Sequence, residues 1–134
     1  MTGLLKDRLV IANAFSLSMI PQSPSVTLII ERLSLDEVRE VVKRYEGKIY
    51  SIVGHESTAK ILSRLLDTQI IYNRVFYKIK AGDAVLVCQL MTRLKEGEIL
   101  SEKELEQLLE QNKIQFYIVI PLIIGFRRYH AFLA

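Results

Sequence analysis

The chain has 134 residues, of which half are hydrophobic and a quarter are charged, and its formal net charge is +3. This length allows one hydrophobic core but is too short for two ordinary domains, and the composition is typical of a folded globular protein rather than of a disordered tail or a coiled coil. The small positive excess favours an anionic partner but falls short of the basic stripe of a dedicated duplex-binding protein, so no stable complex with duplex nucleic acid is expected.

The first part of the chain predicts two strands followed by a helix. Apolar runs over residues 9–14 and 26–33 are typical of buried strands, and the prolines and serines between them indicate a loop. Ser34 followed by Glu37 forms a capping-box pattern, after which apolar residues recur at helical spacing as far as Tyr45. The chain therefore opens with strand, loop, strand and helix.

The middle of the chain predicts a short strand, a helix and a hairpin. Gly47 ends the first helix, residues 49–53 have the composition of a strand, and a second amphipathic helix starts near His55. Residues 75–80 and 84–90 are rich in β-forming residues and are joined by a turn that contains glycine, which favours a β-hairpin.

A second capping box and a final strand complete the predicted order. Ser101 with Glu104 starts a third helix, and the apolar run 114–120 predicts a last strand. The order is then ββαβαββαβ, with both hairpin and crossover connections. We therefore expect a single-domain α/β fold with a mixed β-sheet flanked by helices, and the sequence leaves the strand order open.

Three features predict a cytoplasmic protein without a membrane partner. The only cysteine, Cys88, lies in the apolar run 84–90 and is interpreted as a buried thiol in a reducing compartment. Residues 1–8 lack the apolar stretch and cleavage site of a secretory signal. The apolar stretch 114–126 is interrupted by glutamine, proline and glycine and is far shorter than the roughly 20 residues that span a bilayer.

Standard catalytic motifs are missing from the sequence. It contains no P-loop, no dinucleotide-binding glycine fingerprint, no Cys-x-x-Cys pair and no His-Glu-x-x-His helix. His55, His130 and Cys88 are the only soft metal ligands, and their spacing matches no known zinc pattern. We therefore expect neither a cofactor nor a metal.

Polar residues instead gather where predicted strands end and helices begin, which is where α/β folds build their sites. They are Asn13, Ser16, His55, Ser57, Thr58, Asn73, Arg74, Arg93 and Glu96. In the segment 54–58, a glycine allows close approach to the backbone, and the exposed amides and hydroxyls of a helix start can hold a phosphate. His55 beside such a phosphodiester cradle is suited to protonate a departing oxygen near neutral pH.

Structural roles are the commoner interpretation of each of these residues taken alone. Ser57 and Thr58 are suitable caps for the second helix, and a single histidine at a helix start is more often structural than catalytic. Arg93 and Glu96 fit an exposed ion pair of little energetic value. Asn13 fits a turn residue at a strand end, Arg74 fits a solvated charge, and Gln89 fits the ordinary polar position of a half-buried strand.

Four separated blocks stand out together: Asn13-Ala14-Phe15-Ser16, Gly54-His55-Glu56-Ser57-Thr58, Asn73-Arg74-Val75 and Arg93-Leu94-Lys95-Glu96-Gly97. In order and spacing they resemble the ring-nuclease family of type III anti-CRISPR proteins, which is found in archaeal viruses and some bacterial genomes. The resemblance covers about residues 9–120 and leaves 121–134 as a C-terminal tail, which we expect to pack on the domain or to be disordered. Thr92 stands where family members often carry a glutamine, which affects one sugar or base contact but not the chemistry.

The resemblance implies a homodimer that binds cyclic tetra-adenylate across its twofold axis and cuts the ring into linear diadenylates without a metal. This activity would silence a type III CRISPR signal, in the host-cell cytoplasm if the protein is viral. By position, His55 matches the general acid that protonates the 5′ oxygen, Arg93 would stabilise the phosphate charge, and Glu96 matches an essential glutamate that orients or deprotonates the 2′ hydroxyl. Positions that line the ligand pocket in the family are matched by Asn13, Ser16, Ser57, Thr58, Arg74 and Gln89.

Three other functions remain open from the sequence. A nonenzymatic sponge would bind the same ring and leave it intact, but it would need neither an acid nor a base. A small dimeric nucleic-acid-binding protein is motivated by the basic balance and by Arg127 and Arg128 in the tail. A dimeric structural protein would explain the core but would make the polar blocks accidental.

Overall fold

The computed structural model describes residues 6–94, 97–124 and 127–133. Within these ranges the strands are β1 (Arg8–Ala12), β2 (Ser25–Leu33), β3 (Ile49–Ser51), β4 (Asp83–Leu90) and β5 (Ile114–Ile124). The helices are α1 (Leu35–Arg44), α2 (Glu56–Leu65), α3 (Glu102–Glu110) and a short α4 (Tyr129–Leu133), and a 3-10 turn occupies Leu17–Met19.

The strands form one sheet in the order β2-β5-β4-β1-β3. Strand β1 pairs in parallel with both β3 and β4, whereas β5 pairs antiparallel with β4 and β2. The sheet is therefore mixed, and the expectation of one α/β domain with a mixed sheet flanked by helices is confirmed. The parallel trio β4-β1-β3 results from crossovers through α1 and α2, because parallel strands cannot be joined by a tight turn.

The helix starts follow the sequence pattern closely. The Ser34 hydroxyl accepts a hydrogen bond from the Glu37 amide at 3.2 Å, and the Glu37 carboxylate accepts one from the Ser34 amide at 2.9 Å. The same reciprocal pair joins Ser101 and Glu104 at the start of α3, and these bonds lower the pKa of Glu104. Both predicted capping boxes are thus confirmed. None of the helices in the described ranges is long and apolar enough to cross a membrane.

Successive side chains along each strand point to opposite faces of the sheet, so the hydrophobic core has two layers, one on each face. One face carries residues such as Leu9, Leu86 and Cys88, which pack with buried residues from α1, α2 and α3. Burial raises the pKa of the Cys88 thiol above its ordinary value, in agreement with the predicted buried thiol. The other face, with Val10 and Val85, is covered by side chains from the 3-10 turn and from the segment before β4.

The predicted hairpin of residues 75–80 and 84–90 is wrong. Strand β4 forms as expected, but residues 75–80 adopt no regular secondary structure. Both edges of β4 are already occupied, by β1 on one side and β5 on the other, so a hairpin partner has no edge to pair with. The segment lies instead against the 3-10 turn, where the Ile79 amide donates to the Met19 carbonyl at 2.8 Å.

Three strand ends differ from the sequence expectation. Strands β1 and β3 stop two residues early, and β5 continues four residues beyond residue 120 and pairs with β2 throughout. The predicted tail 121–134 therefore begins inside a strand. Pro121 lies opposite Leu28 of β2 and beyond Val119, the last β5 residue that pairs with β4, so it has a neighbouring strand on one side only, which is where sheets tolerate proline.

Candidate functional site

The carboxyl ends of the parallel strands β4, β1 and β3 meet at one edge of the sheet, with β1 in the middle. Asn13 follows β1 directly, His55 follows β3 after the three residues 52–54, and Arg93 follows β4. In open α/β sheets, ligands bind at this edge where neighbouring connections diverge. The topology therefore brings residues distant in sequence to a common place.

A cleft of about 410 Å³ opens at this edge. Its lining consists of Asn13, His55, Thr58, Leu90, Thr92, Arg93 and Leu94. Four residues proposed from the sequence thus line one cavity: one directly after β1, two at the start of α2 and one in the connection after β4.

His55 occupies the N-cap position of α2. Its ring nitrogen Nδ1 accepts a hydrogen bond from the Thr58 amide at 3.3 Å and lies 3.1 Å from the Thr58 hydroxyl. Because Nδ1 serves as an acceptor, the neutral ring carries its proton on Nε2, which becomes the donor. The alternative that Ser57 or Thr58 caps this helix is wrong, since His55 is the cap and both residues lie inside the first turn.

Asn13 links the end of β1 to the start of α2. Its side-chain oxygen accepts a hydrogen bond from the Gly54 amide at 3.1 Å. The stem of Arg74 lies over Gly54, where a β-carbon would be 3.4 Å from the Arg74 Cγ atom. The space above this glycine is therefore occupied by an exposed arginine from the segment between α2 and β4.

Arg93 is exposed at the rim of the cleft. Among the described residues it has no ion-pair or hydrogen-bond partner. Glu96, the third predicted catalytic residue, lies outside the described residues. In the described ranges no group of three or more histidine, cysteine, aspartate or glutamate residues is arranged to hold a metal.

Four predicted ligand residues lie outside the lining of this cleft. Ser16 is exposed and its hydroxyl is 2.6 Å from that of Ser18, while Gln89 is exposed on β4 opposite Gln115. Ser57 is buried and lines a separate cavity of about 170 Å³ beneath residues 98–100. Arg74 reaches the site only through its contact with Gly54.

A polar cluster that was not predicted from the sequence lies at the opposite, amino end of β1 and β4. Asp83 is almost fully buried, and its carboxylate accepts hydrogen bonds from the Arg8 side chain at 3.2 Å, the Tyr77 hydroxyl at 2.5 Å and the Lys80 amide at 2.9 Å. Arg8 also donates to Tyr77 and lies over the ring of Tyr50. Burial, together with the hydrogen bond to Asp83 and its charge, raises the pKa of Tyr77 to about 12.

A family model described as STIV B116-like matches residues 9–118. The chain belongs to the STIV B116-like family. The match contains the whole cleft and ends before the last residues of β5, so α4 lies outside it. The family includes proteins of archaeal viruses.

The STIV B116-like fold is also shared by a solved structure, B116 of Sulfolobus turreted icosahedral virus. The two chains are 34% identical with a TM-score of 0.73, and the alignment covers 84% of this chain and 98% of B116. The uncharacterized protein YddF of Bacillus subtilis is 32% identical over 109 residues, which is 81% of this chain and 96% of YddF. The uncharacterized protein 26 of a Sulfolobus islandicus filamentous virus is 35% identical over 92 residues, covering 66% and 76% of the two chains.

Proposed function

We propose that this protein is a metal-independent ring nuclease that cleaves cyclic tetra-adenylate into linear diadenylates and so antagonises type III CRISPR signalling. The observation that carries the proposal is His55, which lies at the start of α2 with Nδ1 engaged by Thr58, in the same cleft as Asn13 and Arg93. A proton donor, a cation and helix amides that converge on one cleft are suited to a phosphodiester.

The proposed reaction is a transesterification within the ring. The ribose 2′ oxygen attacks the adjacent phosphorus, a new O2′–P bond forms, and the P–O5′ bond breaks. The 2′ hydroxyl gives up its proton to Glu96, or to water where Glu96 only orients it. His55 acts in its doubly protonated form: its Nδ1–H donates to the Thr58 hydroxyl, which is 3.1 Å away, and its Nε2–H passes to the departing 5′ oxygen, which leaves a neutral ring. Each cut leaves a 2′,3′-cyclic phosphate and a 5′ hydroxyl, and two cuts yield two diadenylates. RNA supplies its own nucleophile, so the reaction needs orientation more than activated water.

Charge stabilisation in this proposal comes from Arg93 and from the first turn of α2. The first amides of a ten-residue helix have no partner within the helix, and the helix dipole favours an anion there. The Thr58 amide is already bonded to His55, which leaves other first-turn amides for a phosphate oxygen. Glu96 is proposed to orient or deprotonate the 2′ hydroxyl, as the family resemblance implies.

A homodimer is part of the proposal. Large apolar side chains are exposed within two residues of the polar blocks in sequence: Leu17 at 83% and Phe76 at 77%, with Tyr72 and Met91 each at 50%. A contiguous exposed apolar patch is typical of an interaction surface, and the proposal takes these side chains as part of one. A cyclic tetranucleotide has near-twofold symmetry, so an isologous dimer can present one His55 to each of two opposite linkages.

The decisive experiment is incubation of the purified protein with labelled cyclic tetra-adenylate in excess EDTA, with products resolved by chromatography. We expect linear diadenylate with a 2′,3′-cyclic phosphate. His55→Ala should bind the ring but cut it roughly a hundred to ten thousand times more slowly. His130→Ala is the matched control, because it changes the only other histidine of the chain, which lies beyond the family match, and should cut normally.

A ring with 2′-deoxyribose at the scissile positions tests the nucleophile. It should bind and stay intact, and cleavage of this analogue would contradict the mechanism. A normal ring that binds to the wild type but is never cut would establish a sponge instead. If the ring does not bind and the protein shows salt-sensitive binding to DNA or RNA that survives His55→Ala, a nucleic-acid-binding function replaces the proposal.

A further inference from the structure

The backbone between β3 and His55 is held in place although it belongs to no strand or helix. The Ile52 amide donates to the Ile11 carbonyl at 2.9 Å, and the Gly54 amide donates to the Asn13 side chain at 3.1 Å. Residues 52–54 therefore approach His55 along a path that β1 and its extension fix on one side.

The other side of this path is fixed by Asn73. Its side-chain amide donates to the Ser51 carbonyl at 2.8 Å, and its main-chain amide donates to the Val53 carbonyl at 2.8 Å. The Ser51 hydroxyl donates to the Ile71 carbonyl at 2.7 Å and accepts from the Val53 amide at 3.2 Å. We refer to these four bonds as the Ser51–Asn73 clamp.

We propose that Asn73 is a positioning residue for His55 and acts through the Ser51–Asn73 clamp, an inference that rests on the proposed function. Strand β3 is three residues long and lies at the sheet edge, so β1 holds it on one side only. The clamp holds the other side at the two residues, Ser51 and Val53, that lead into the N-cap. Neither Ser51 nor Asn73 lines the cleft, and both therefore act on the ligand only through the backbone.

The physical consequence concerns the direction of the His55 ring. The bond between Nδ1 and the Thr58 amide requires the N-cap backbone to enter α2 at a defined angle. Without the clamp, the backbone of residues 51–54 would be held by β1 alone, and the angle at which it enters α2 would vary. The hydrogen bond from the Thr58 amide to Nδ1, which keeps the proton of the neutral ring on Nε2, would then weaken. A displacement on the order of 1 Å at a catalytic group can lower the rate on the order of 100-fold.

The test compares two clamp variants with a matched control. Asn73→Ala removes the bond to the Ser51 carbonyl but retains the main-chain bond to Val53, and Ser51→Ala removes the other half of the clamp. Ser63→Ala is the control, because the Ser63 hydroxyl ties Ile70, at the start of the same segment, to α2 through bonds of similar length. All proteins are assayed at a temperature where circular dichroism shows them folded.

We expect both clamp variants to cut cyclic tetra-adenylate about 10- to 100-fold more slowly in kcat, with KM changed less than threefold, whereas Ser63→Ala stays within about threefold of wild type. Equal losses in all three variants, or no loss in the clamp variants, would overturn the proposal.

A second measurement tests the effect of the clamp on His55 without a cleavage assay. Nitrogen NMR of ¹⁵N-histidine-labelled protein reports the tautomer of His55, assigned by comparison with His55→Ala. The wild type should show Nδ1 as an acceptor and Nε2 as the protonated nitrogen, and the clamp variants should show a mixture of tautomers. Unchanged His55 signals in both variants would overturn the inference. A wild type that does not cut the ring would contradict the proposed function alone, because these signals still test the clamp.

Discussion

Polar clusters lie at the two opposite ends of β1 and β4, and they differ in how far their side chains are buried and hydrogen-bonded. At the amino end, Asp83 is buried and each of its oxygens has partners in Arg8, Tyr77 or Lys80. At the carboxyl end, His55 is only partly buried and Arg93 is exposed and unpaired within the described residues. Saturated bonds stabilise a fold, whereas unused donors can bind a ligand. We therefore expect the amino end to contribute mainly stability, and the proposed function places the chemistry at the carboxyl end.

The largest effect should come from neutralising the buried carboxylate at the amino end. Asp83→Asn leaves the partly exposed Arg8 without its counter-charge and disrupts the hydrogen bonds that a buried carboxylate accepts, which should lower the free energy of unfolding by about 3 kcal/mol. Denaturant titration measures this loss. Asp36→Asn, which neutralises an exposed aspartate of α1, should change stability little. Ring cleavage by folded Asp83→Asn should stay within about twofold of wild type, and a large fall in kcat would show that the two ends are coupled.

The converse change at the carboxyl end should affect chemistry alone. Arg93→Ala removes the exposed guanidinium at the rim of the cleft. It should lower kcat for cyclic tetra-adenylate about 100-fold, because in the proposed reaction charge develops on the phosphate in the transition state. Its free energy of unfolding should change by less than about 0.5 kcal/mol, as for other exposed residues. Arg127→Ala, which also changes an exposed arginine, is the control for net charge and should cut normally. A comparable rate loss in both variants would indicate general electrostatic attraction rather than a role of Arg93.

Alkaline pH should weaken the amino end through Tyr77. In the unfolded chain this phenol releases its proton near pH 10, whereas in the folded protein its pKa is raised to about 12. Between these values the unfolded state binds fewer protons than the folded state, so the free energy of unfolding falls as the pH rises. The full contribution is present below pH 10, and about 2 kcal/mol is lost by pH 12.

Two tyrosine variants separate the contribution of Tyr77 to stability from that of the other groups that titrate at high pH. Tyr77→Phe should be less stable at neutral pH but should lose less stability than wild type between pH 10 and 12. Tyr72→Phe, which changes an exposed tyrosine, should follow the wild-type curve. Parallel curves for wild type and Tyr77→Phe would show that the phenol does not hold its proton in the fold.

Local rules explain which parts of this structure could be predicted from the sequence. The capping boxes at Ser34 and Ser101, and the start of α2 at His55, depend on residues three or four positions apart, and all were predicted correctly. Strands β1, β3 and β4 are parallel, so their carboxyl ends meet at one edge of the sheet. Asn13, His55 and Arg93 follow these strands and line one cleft there, as the sequence suggested.

Contacts between distant residues explain what was missed. Arg8 and Asp83 are 75 positions apart, and their pairing depends on β4 lying beside β1, which no local pattern encodes. An aspartate that begins an apolar run was the only signal that this carboxylate would be buried. The same missing information produced the incorrect hairpin, because residues 75–80 have the local chemistry of a strand but β4 has no free edge.

The smallest expected effect uses two glycines that match in geometry but lie at opposite ends of the sheet. Gly47, between α1 and β3, has φ +81°, and Gly97, four residues after Arg93, has φ +77°. At either position a β-carbon would meet no atom of the described residues within 4 Å. Alanine should therefore lower the free energy of unfolding by about 1 kcal/mol at each, through the left-handed backbone alone.

Activity should separate the two glycine variants where stability does not. Gly47→Ala lies at the amino end of β3 and should cut cyclic tetra-adenylate at the wild-type rate once folded. Gly97→Ala changes the backbone next to Glu96, in the connection that carries Arg93, and should lower kcat severalfold. Because the steric and conformational terms are the same in both variants, a difference in rate with equal melting temperatures can come only from location. Equal rates would mean that cleavage does not depend on the backbone conformation at Gly97. The residues needed for cleavage at this end of the sheet would then be limited to Asn13, His55 and Arg93.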